Sequence, residues 1–180
     1  HSAPRRPKSL KCSINHATIS GKKWTILVGL LNGRPYEIIG GLAKYVEIPK
    51  KYSEGIIVKH SRKTVNSKYD LTFGENGDEV IIKDIVSVFD NPNHSAFTRT
   101  ISLALRHGAP IQYIVEQLQK DRDADLFSFS KVTARVLKKY IQDGTKVSNG
   151  VFETDCCNNQ NIVYQEGCAT CINCGMAKCG

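Results

Sequence analysis

The sequence predicts an α+β domain, with a mainly antiparallel sheet and about three helices packed on one face, followed by a cysteine-rich tail. Segments rich in β-branched and aromatic residues occupy the chain up to residue 85, and helical periodicity follows between residues 95 and 141. Six of the seven cysteines lie in the final 25 residues. Strands followed by helices are typical of the α+β class.

The strongest strand signal surrounds Asn32-Gly33, which two apolar stretches flank. This dipeptide favours a type I′ hairpin turn because both of its residues adopt positive φ readily. A shorter strand at residues 16–20 is expected to return through Gly21 and meet the hairpin. Further strands are predicted at residues 55–62, 69–74 and 79–85, whose composition suits a half-buried pleated surface.

Three helices are predicted in the second half of the chain. The first has Ser95 as its N-cap and Gly108 as its terminator. The second begins at Pro110, because proline suits the first turn of a helix. The third begins at Ser130. Apolar residues repeat at helical spacing in all three segments.

These signals divide the chain into four parts. Residues 1–12 are Pro- and Arg-rich and are expected to form an extended lead-in. Residues 13–142 form the α+β domain, 143–155 a linker and 156–180 the cysteine tail. The sequence shows no internal repeat. Cys12 stands apart from the other cysteines and is expected to be a buried or incidental thiol.

The composition excludes several classes of protein. A hydrophobic content of 41% and a charged content of 23% argue against disorder. No apolar run approaches the roughly 20 residues of a membrane helix, and none has the layout of a secretory signal. An odd number of cysteines crowded into one tail does not match a secreted disulfide framework, so a reducing, cytoplasmic location and no membrane partner are expected. The chain begins with His1, which indicates the end of a fragment.

The tail cysteines admit a metal interpretation. Cys-x2-Cys is the spacing at which two thiolates of one tight turn bind one zinc ion, and a closed site needs four ligands. Cys168, Cys171 and Cys174 form two overlapping pairs of this kind. The other ligands would come from Cys156 and Cys157, whose adjacency makes it awkward for both to bind one ion.

The same cysteines admit a redox interpretation. Cys174-x4-Cys179 can close a small ring if the chain between them bends, and Gly175 permits that bend. Lys178 beside Cys179 favours the thiolate, which is the form that attacks disulfides. A tethered pair at the end of a chain can reach several partners in turn. Spacing alone leaves both interpretations open.

Several segments, in this order along the chain, resemble the C-terminal region of adenosylcobalamin-dependent (class II) ribonucleotide reductases. They are "HATISGKKWTILVGLLNGRPYEIIGG", "TRTISLALRHGAPIQYIVEQLQK", "FSFSKVTARVLKKYI" and "YQEGCATCINCGMAKCG". The resemblance runs from about Arg6 to Gly180. It covers the region often called the TSCPD domain, which follows the catalytic barrel, and then the cysteine tail.

The resemblance implies a redox role for the end of the chain. In this family, each reduction of a ribonucleotide oxidises two active-site cysteines to a disulfide. A cysteine pair on the flexible C-terminus reduces that disulfide and is then reduced by thioredoxin or a similar donor. Cys174 and Cys179 match this pair in position and spacing, which makes them the expected catalytic shuttle.

The resemblance also implies a zinc-ribbon-like element in the tail. Its ligands would be Cys156, Cys157, Cys168 and Cys171. The upstream half in the family is usually Cys-x2-Cys, whereas here Thr154 stands where the first of those cysteines is expected. Either this tail binds no zinc, or its fourth ligand shifts to Cys156.

The resemblance assigns adenosylcobalamin and the substrate to the catalytic barrel, which a chain of 180 residues is too short to include. The chain is thus expected to be a fragment or a split subunit of a reductase that makes deoxyribonucleotides for DNA synthesis. Alone, it should not turn over.

The alternative is a basic zinc-knuckle module that binds nucleic acid or regulates without catalysis. The net charge of +8 supports it, but the tail has few basic residues, which argues against nucleic acid.

Overall fold

The computed structural model of the chain describes residues 3–61, 67–120, 128–151 and 161–179. The chain divides into two compact units, residues 1–108 and 109–180. The predicted α+β class, with its mainly antiparallel sheet, is confirmed. The division at Gly108 falls elsewhere than the predicted boundary near residue 142.

The first unit is built on a six-stranded sheet of order β3-β2-β1-β4-β5-β6, in which every neighbouring pair is antiparallel. Its strands are β1 (Ser9–Ile19), β2 (Lys22–Leu31), β3 (Arg34–Leu42), β4 (Glu54–His60), β5 (Lys68–Phe73) and β6 (Val80–Ile82).

The turns of the first three strands follow from local sequence. Asn32 and Gly33 have φ of 52° and 76°, as the predicted β2–β3 hairpin requires. Ser20 and Gly21, at 47° and 82°, make the β1–β2 turn in the same way. Strand β1 is longer than predicted, since it begins at Ser9. Residues 9–12, which were assigned to the lead-in, are therefore part of the sheet.

Two helices accompany this sheet, α1 (Ile85–Val88) and α2 (Pro92–Arg106). The prediction that Ser95 caps α2 is wrong. The cap is Asn91, whose side-chain oxygen accepts hydrogen bonds from the backbone N–H of Asn93 and His94. Helix α2 packs on β3, where the Ser102 hydroxyl bonds both the N–H and the carbonyl oxygen of Ile38. This helix thereby covers the edge of the sheet.

One hydrophobic core cluster of the first unit lies on a single face of the sheet. Its buried members are Cys12, Ile14, Leu27, Ile39, Val46, Ile48, Ile57, Leu71, Phe73, Ile85 and Phe89. Cys12 is thus a core residue, as was expected of a solitary thiol. Burial, and then the charge of Glu37, raise its pKa to about 12.

An ion pair fastens the N-terminal segment to the sheet. Arg6 donates to both carboxylate oxygens of Glu37, at 2.6 and 2.9 Å, and the two side chains are 6% and 9% exposed. Gly29 lies opposite Glu37 in the register and leaves space for the Glu37 side chain, because a Cβ on Gly29 would lie 2.6 Å from the Glu37 Cγ. The Arg6 guanidinium also lies 5.4 Å from the Tyr69 ring centre.

The second unit combines two helices with a small sheet. Its helices, α3 (Ile111–Leu118) and α4 (Phe129–Lys138), pack on each other, and α4 begins one residue before the predicted Ser130. The sheet has the order β7-β8-β9, with strands β7 (Ile162–Gln165), β8 (Cys168–Cys171) and β9 (Ala177–Lys178).

The predicted linker is partly structured. Thr145 and Val147 exchange backbone hydrogen bonds with Tyr164 and Ile162 of β7, so this stretch runs beside the small sheet as an additional extended segment. The predicted linker is therefore paired with the small sheet of the second unit.

A buried carboxylate connects α3 to these strands. Glu116 is 4% exposed and accepts hydrogen bonds from Gln112, from the backbone N–H of Ser148 and from the Tyr164 hydroxyl. Burial, and then the Glu116 charge, raise the pKa of Tyr164, so this phenol remains protonated and continues to donate.

Candidate functional site

The described tail cysteines lie on the β8–β9 hairpin. Cys168 begins β8 and is half-buried, and Cys171 ends it at 1% exposure. Because side chains alternate along a strand, two residues that are three apart point to opposite faces of the sheet. Cys168 and Cys171 therefore do not form a chelating turn with each other.

A disulfide joins Cys168 to Cys179, with the two Cα atoms 4.2 Å apart. The pairing of Ala169 with Lys178 across β8 and β9 brings the two cysteines side by side at the open end of the hairpin. Cys179 is exposed, so the disulfide is open to solvent at that end. The structure thus gives Cys179 a different partner from Cys174, with which the sequence analysis paired it.

Cys174 lies in the turn that connects β8 to β9, at the other end of the hairpin. The carbonyl oxygen of Cys171 accepts a hydrogen bond from the Gly175 N–H, and the Cys171 N–H donates to Met176, both at 2.8 Å. Gly175 has a φ of +77°, so it provides the expected bend. The turn exposes Cys174 while Cys171 stays buried beneath it.

The predicted zinc ligands are only partly within the described residues. Cys156 and Cys157 lie outside them. Cys168 cannot serve as a thiolate ligand while its sulfur is bonded to Cys179. Across the described ranges no three His, Cys, Asp or Glu side chains come together as a metal site. The Cys171-x2-Cys174 turn retains the spacing of half a zinc site.

A buried lysine lies at the end of α4, beside the β7–β8 turn. The β7–β8 turn approaches the end of α4, where a Cβ on Gly167 would lie 3.4 Å from the Lys138 carbonyl oxygen. Lys138 is 8% exposed. Burial, followed by the charges of Arg135 and Lys178, lowers its pKa. Lys178 is adjacent to Cys179 in the chain, and a cationic neighbour favours the thiolate form of a cysteine.

The sequence did not predict that Cys168 pairs with Cys179. Cys168 was assigned to zinc because its Cys-x2-Cys spacing suggested a turn, whereas it begins a strand. The contact between the end of α4 and the β7–β8 turn likewise has no signal in the local sequence.

Comparison with known proteins establishes the family. The NrdJ homologue C-terminal domain family matches residues 10–142, about three quarters of the chain, so the chain belongs to that family. This membership relates it to the C-terminal part of a ribonucleotide reductase, an oxidoreductase, and to a partner catalytic region of such an enzyme. The matched range lies close to the predicted domain of residues 13–142. No curated protein and no solved structure matches the chain.

In the described ranges, no helix is both long and apolar enough to cross a membrane.

Proposed function

We propose that this chain is the C-terminal portion of a vitamin B12-dependent ribonucleotide reductase and that its terminal hairpin carries electrons to the catalytic barrel. The single observation that carries the proposal is the solvent-accessible Cys168–Cys179 disulfide in a member of an NrdJ-related family. Adenosylcobalamin would be held by the barrel and would supply the radical chemistry there. The proposed task of the hairpin is confined to thiol–disulfide exchange.

The proposed exchange proceeds in two balanced steps. A thiolate of the reduced hairpin attacks the active-site disulfide and forms a mixed disulfide, which releases one active-site thiolate. The second hairpin thiolate then attacks the mixed disulfide. This step releases the other active-site thiolate and leaves the hairpin oxidised. A dithiol protein such as thioredoxin reduces the hairpin by the same two steps, so two electrons and two protons pass in each cycle.

We propose Cys168 and Cys179 as the exchanging pair. Their pairing across the hairpin and Lys178 beside Cys179 support this choice. The pair predicted from sequence, Cys174 and Cys179, is the alternative. Cys174 supports it by its exposure, and both pairs share Cys179.

Serine variants of the assembled enzyme separate the two pairs. With thioredoxin as the sole reductant, Cys179→Ser should abolish turnover, and a small dithiol that diffuses into the barrel should largely restore it. Cys168→Ser should behave like Cys179→Ser if the proposed pair is right, whereas Cys174→Ser should do so if the alternative is right. Cys12→Ala is the matched control and should retain activity. Full activity of Cys179→Ser with thioredoxin would exclude both pairs.

The same variants report on zinc. We propose that a zinc ion, where one is bound, uses the Cys171-x2-Cys174 turn when Cys168 serves the disulfide. Native mass spectrometry of the reduced proteins should then show loss of zinc in Cys174→Ser and retention in Cys168→Ser. The opposite result would support the ligand set Cys156, Cys157, Cys168 and Cys171.

A further inference from the structure

A cavity of about 660 Å³ lies in the first unit. Its walls come from β3, β5, α1 and α2, and its volume lies within the range of about 300–1,000 Å³ that is typical of small-molecule sites. Helix α2 contributes a stripe at spacings of three and four residues, so these side chains share one face. The stripe consists of Ser95, Thr98, Arg99, Ser102 and Arg106.

The charges that line this cavity do not balance. The Glu37 carboxylate is bound by Arg6, and Asp84 lies 3.7 Å from the Lys68 ammonium. In the part of the chain that the structure describes, neither Arg99 nor Arg106 has an acidic partner within 4 Å. Two guanidinium groups are therefore available to an anion that enters the cavity.

The geometry of the two arginines suits an extended anion. They are seven residues apart on α2, which places their Cα atoms about 10 Å apart along the helix axis. The Nε of Arg106 donates to the Ser102 carbonyl oxygen at 3.3 Å, which leaves its terminal N–H groups for a ligand. Guanidinium groups bind phosphate oxygens in pairs, and a chain of linked phosphates can reach both of them.

Another part of the cavity can receive an uncharged group. Ile38, Ile39 and Val86 contribute apolar surface, and Tyr69 adds an aromatic ring. Burial, followed by the Glu37 charge, raises the pKa of Tyr69, so its hydroxyl stays protonated and can donate to an anion. Arginines beside an apolar and aromatic wall suit a ligand that combines linked phosphates with an organic group.

We propose that this cavity binds an organic polyphosphate, a di- or triphosphate ester. Arg99 and Arg106 hold its phosphates, and the organic group lies against Tyr69 and the apolar wall. The residues that line this cavity include none of the hairpin residues, and the proposal does not depend on the redox role proposed above.

Isothermal titration calorimetry of the full chain tests the proposal, with ATP, inorganic tripolyphosphate and adenosine as probes. ATP and tripolyphosphate should bind, ATP more tightly, and adenosine should not bind measurably. Arg99→Gln and Arg106→Gln should each weaken ATP binding by about tenfold or more, because each removes charge-assisted hydrogen bonds. Arg5→Gln, which alters an exposed arginine at a separate basic surface, is the matched control and should leave the affinity unchanged.

Three results would overturn the proposal. The first is ATP binding that is equal in the parent chain and in both cavity variants. The second is an absence of ATP and tripolyphosphate binding at millimolar concentration. The third is a poly-glutamate peptide that binds as tightly as tripolyphosphate, which would assign the cavity to an acidic polypeptide. Arg99 is exposed, so Arg99→Gln is expected to fold and decides the question even if Arg106→Gln does not fold.

Discussion

At the scale of single residues, the Arg6–Glu37 pair is a long-range contact that composition alone does not predict. The composition of residues 1–12 predicts an extended lead-in, yet Arg6 is buried against a carboxylate that lies 31 positions away. Removing one partner of a buried pair typically costs about 3–5 kcal/mol, because it leaves an uncompensated charge. The space for this pair depends on Gly29, which has no side chain. The sequence shows the glycine, but it does not show that Glu37 lies opposite it on the neighbouring strand.

Cys12 provides a prediction at the same scale. Its pKa of about 12 lies above the value of about 8.5 for a thiol in an unfolded chain, so the unfolded state loses its proton first as the pH rises. The contribution of Cys12 to stability is therefore complete below about pH 8.5 and is lost as the pH rises toward 12.

The expected slope is at most about 1.4 kcal/mol per pH unit within that window. Urea unfolding of the parent chain and of Cys12→Ala between pH 8 and 11 measures it, because other titrating groups contribute equally to both proteins. The free-energy difference between the two proteins should shrink as the pH rises. A difference that stays constant would mean that Cys12 is not a buried neutral thiol.

At the scale of elements, local signals were reliable where one short segment decides the conformation. Asn32-Gly33 is such a segment, and the predicted hairpin is present. The β8–β9 hairpin is different, because the neighbour of Cys179 depends on the register between two strands. That register sets Cys168 beside Cys179, whereas counting residues along the chain favoured Cys174. Spacing specifies which cysteines can meet, and strand pairing selects among them.

The start of α2 gives a prediction about one element. Asn91 precedes Pro92, and a capping residue followed by proline at the first helical position is itself a start signal that lies upstream of Ser95. Asn91→Ala should destabilise the chain by about 1 kcal/mol, because two backbone N–H groups lose their acceptor. Ser95→Ala, the matched control, should change stability by less than about 0.5 kcal/mol.

Thermal or urea unfolding of the two variants checks this expectation. Equal destabilisation by both changes, or a larger effect from Ser95→Ala, would contradict the assignment of Asn91 as the N-cap of α2.

At the scale of the whole molecule, the sequence indicated where regular elements end but not which elements belong together. Predicted helices α3 and α4 were grouped with the large sheet because they precede the linker. The structure groups them with the cysteine strands, and the buried Glu116 shows why. Its hydrogen-bond donors come from α3, from the predicted linker and from β7, so the carboxylate is satisfied only when all three segments are present.

A truncation after Gly144 tests this grouping. Sequence analysis predicts that such a chain folds as one cooperative domain, because the tail carries little apolar periodicity. The structure predicts otherwise, because the truncation removes Ser148 and Tyr164 and leaves Glu116 with Gln112 alone. An underbonded buried carboxylate costs several kcal/mol, so α3 and α4 should lose order while the β1–β3 sheet remains. Hydrogen exchange resolved by mass spectrometry should show lost protection in α3 and α4. The fluorescence of the single tryptophan, Trp24 on β2, reports on the sheet, which should unfold at a higher urea concentration than α3 and α4 do. Full protection of α3 and α4, with one transition for both probes, would instead support the boundary near residue 142.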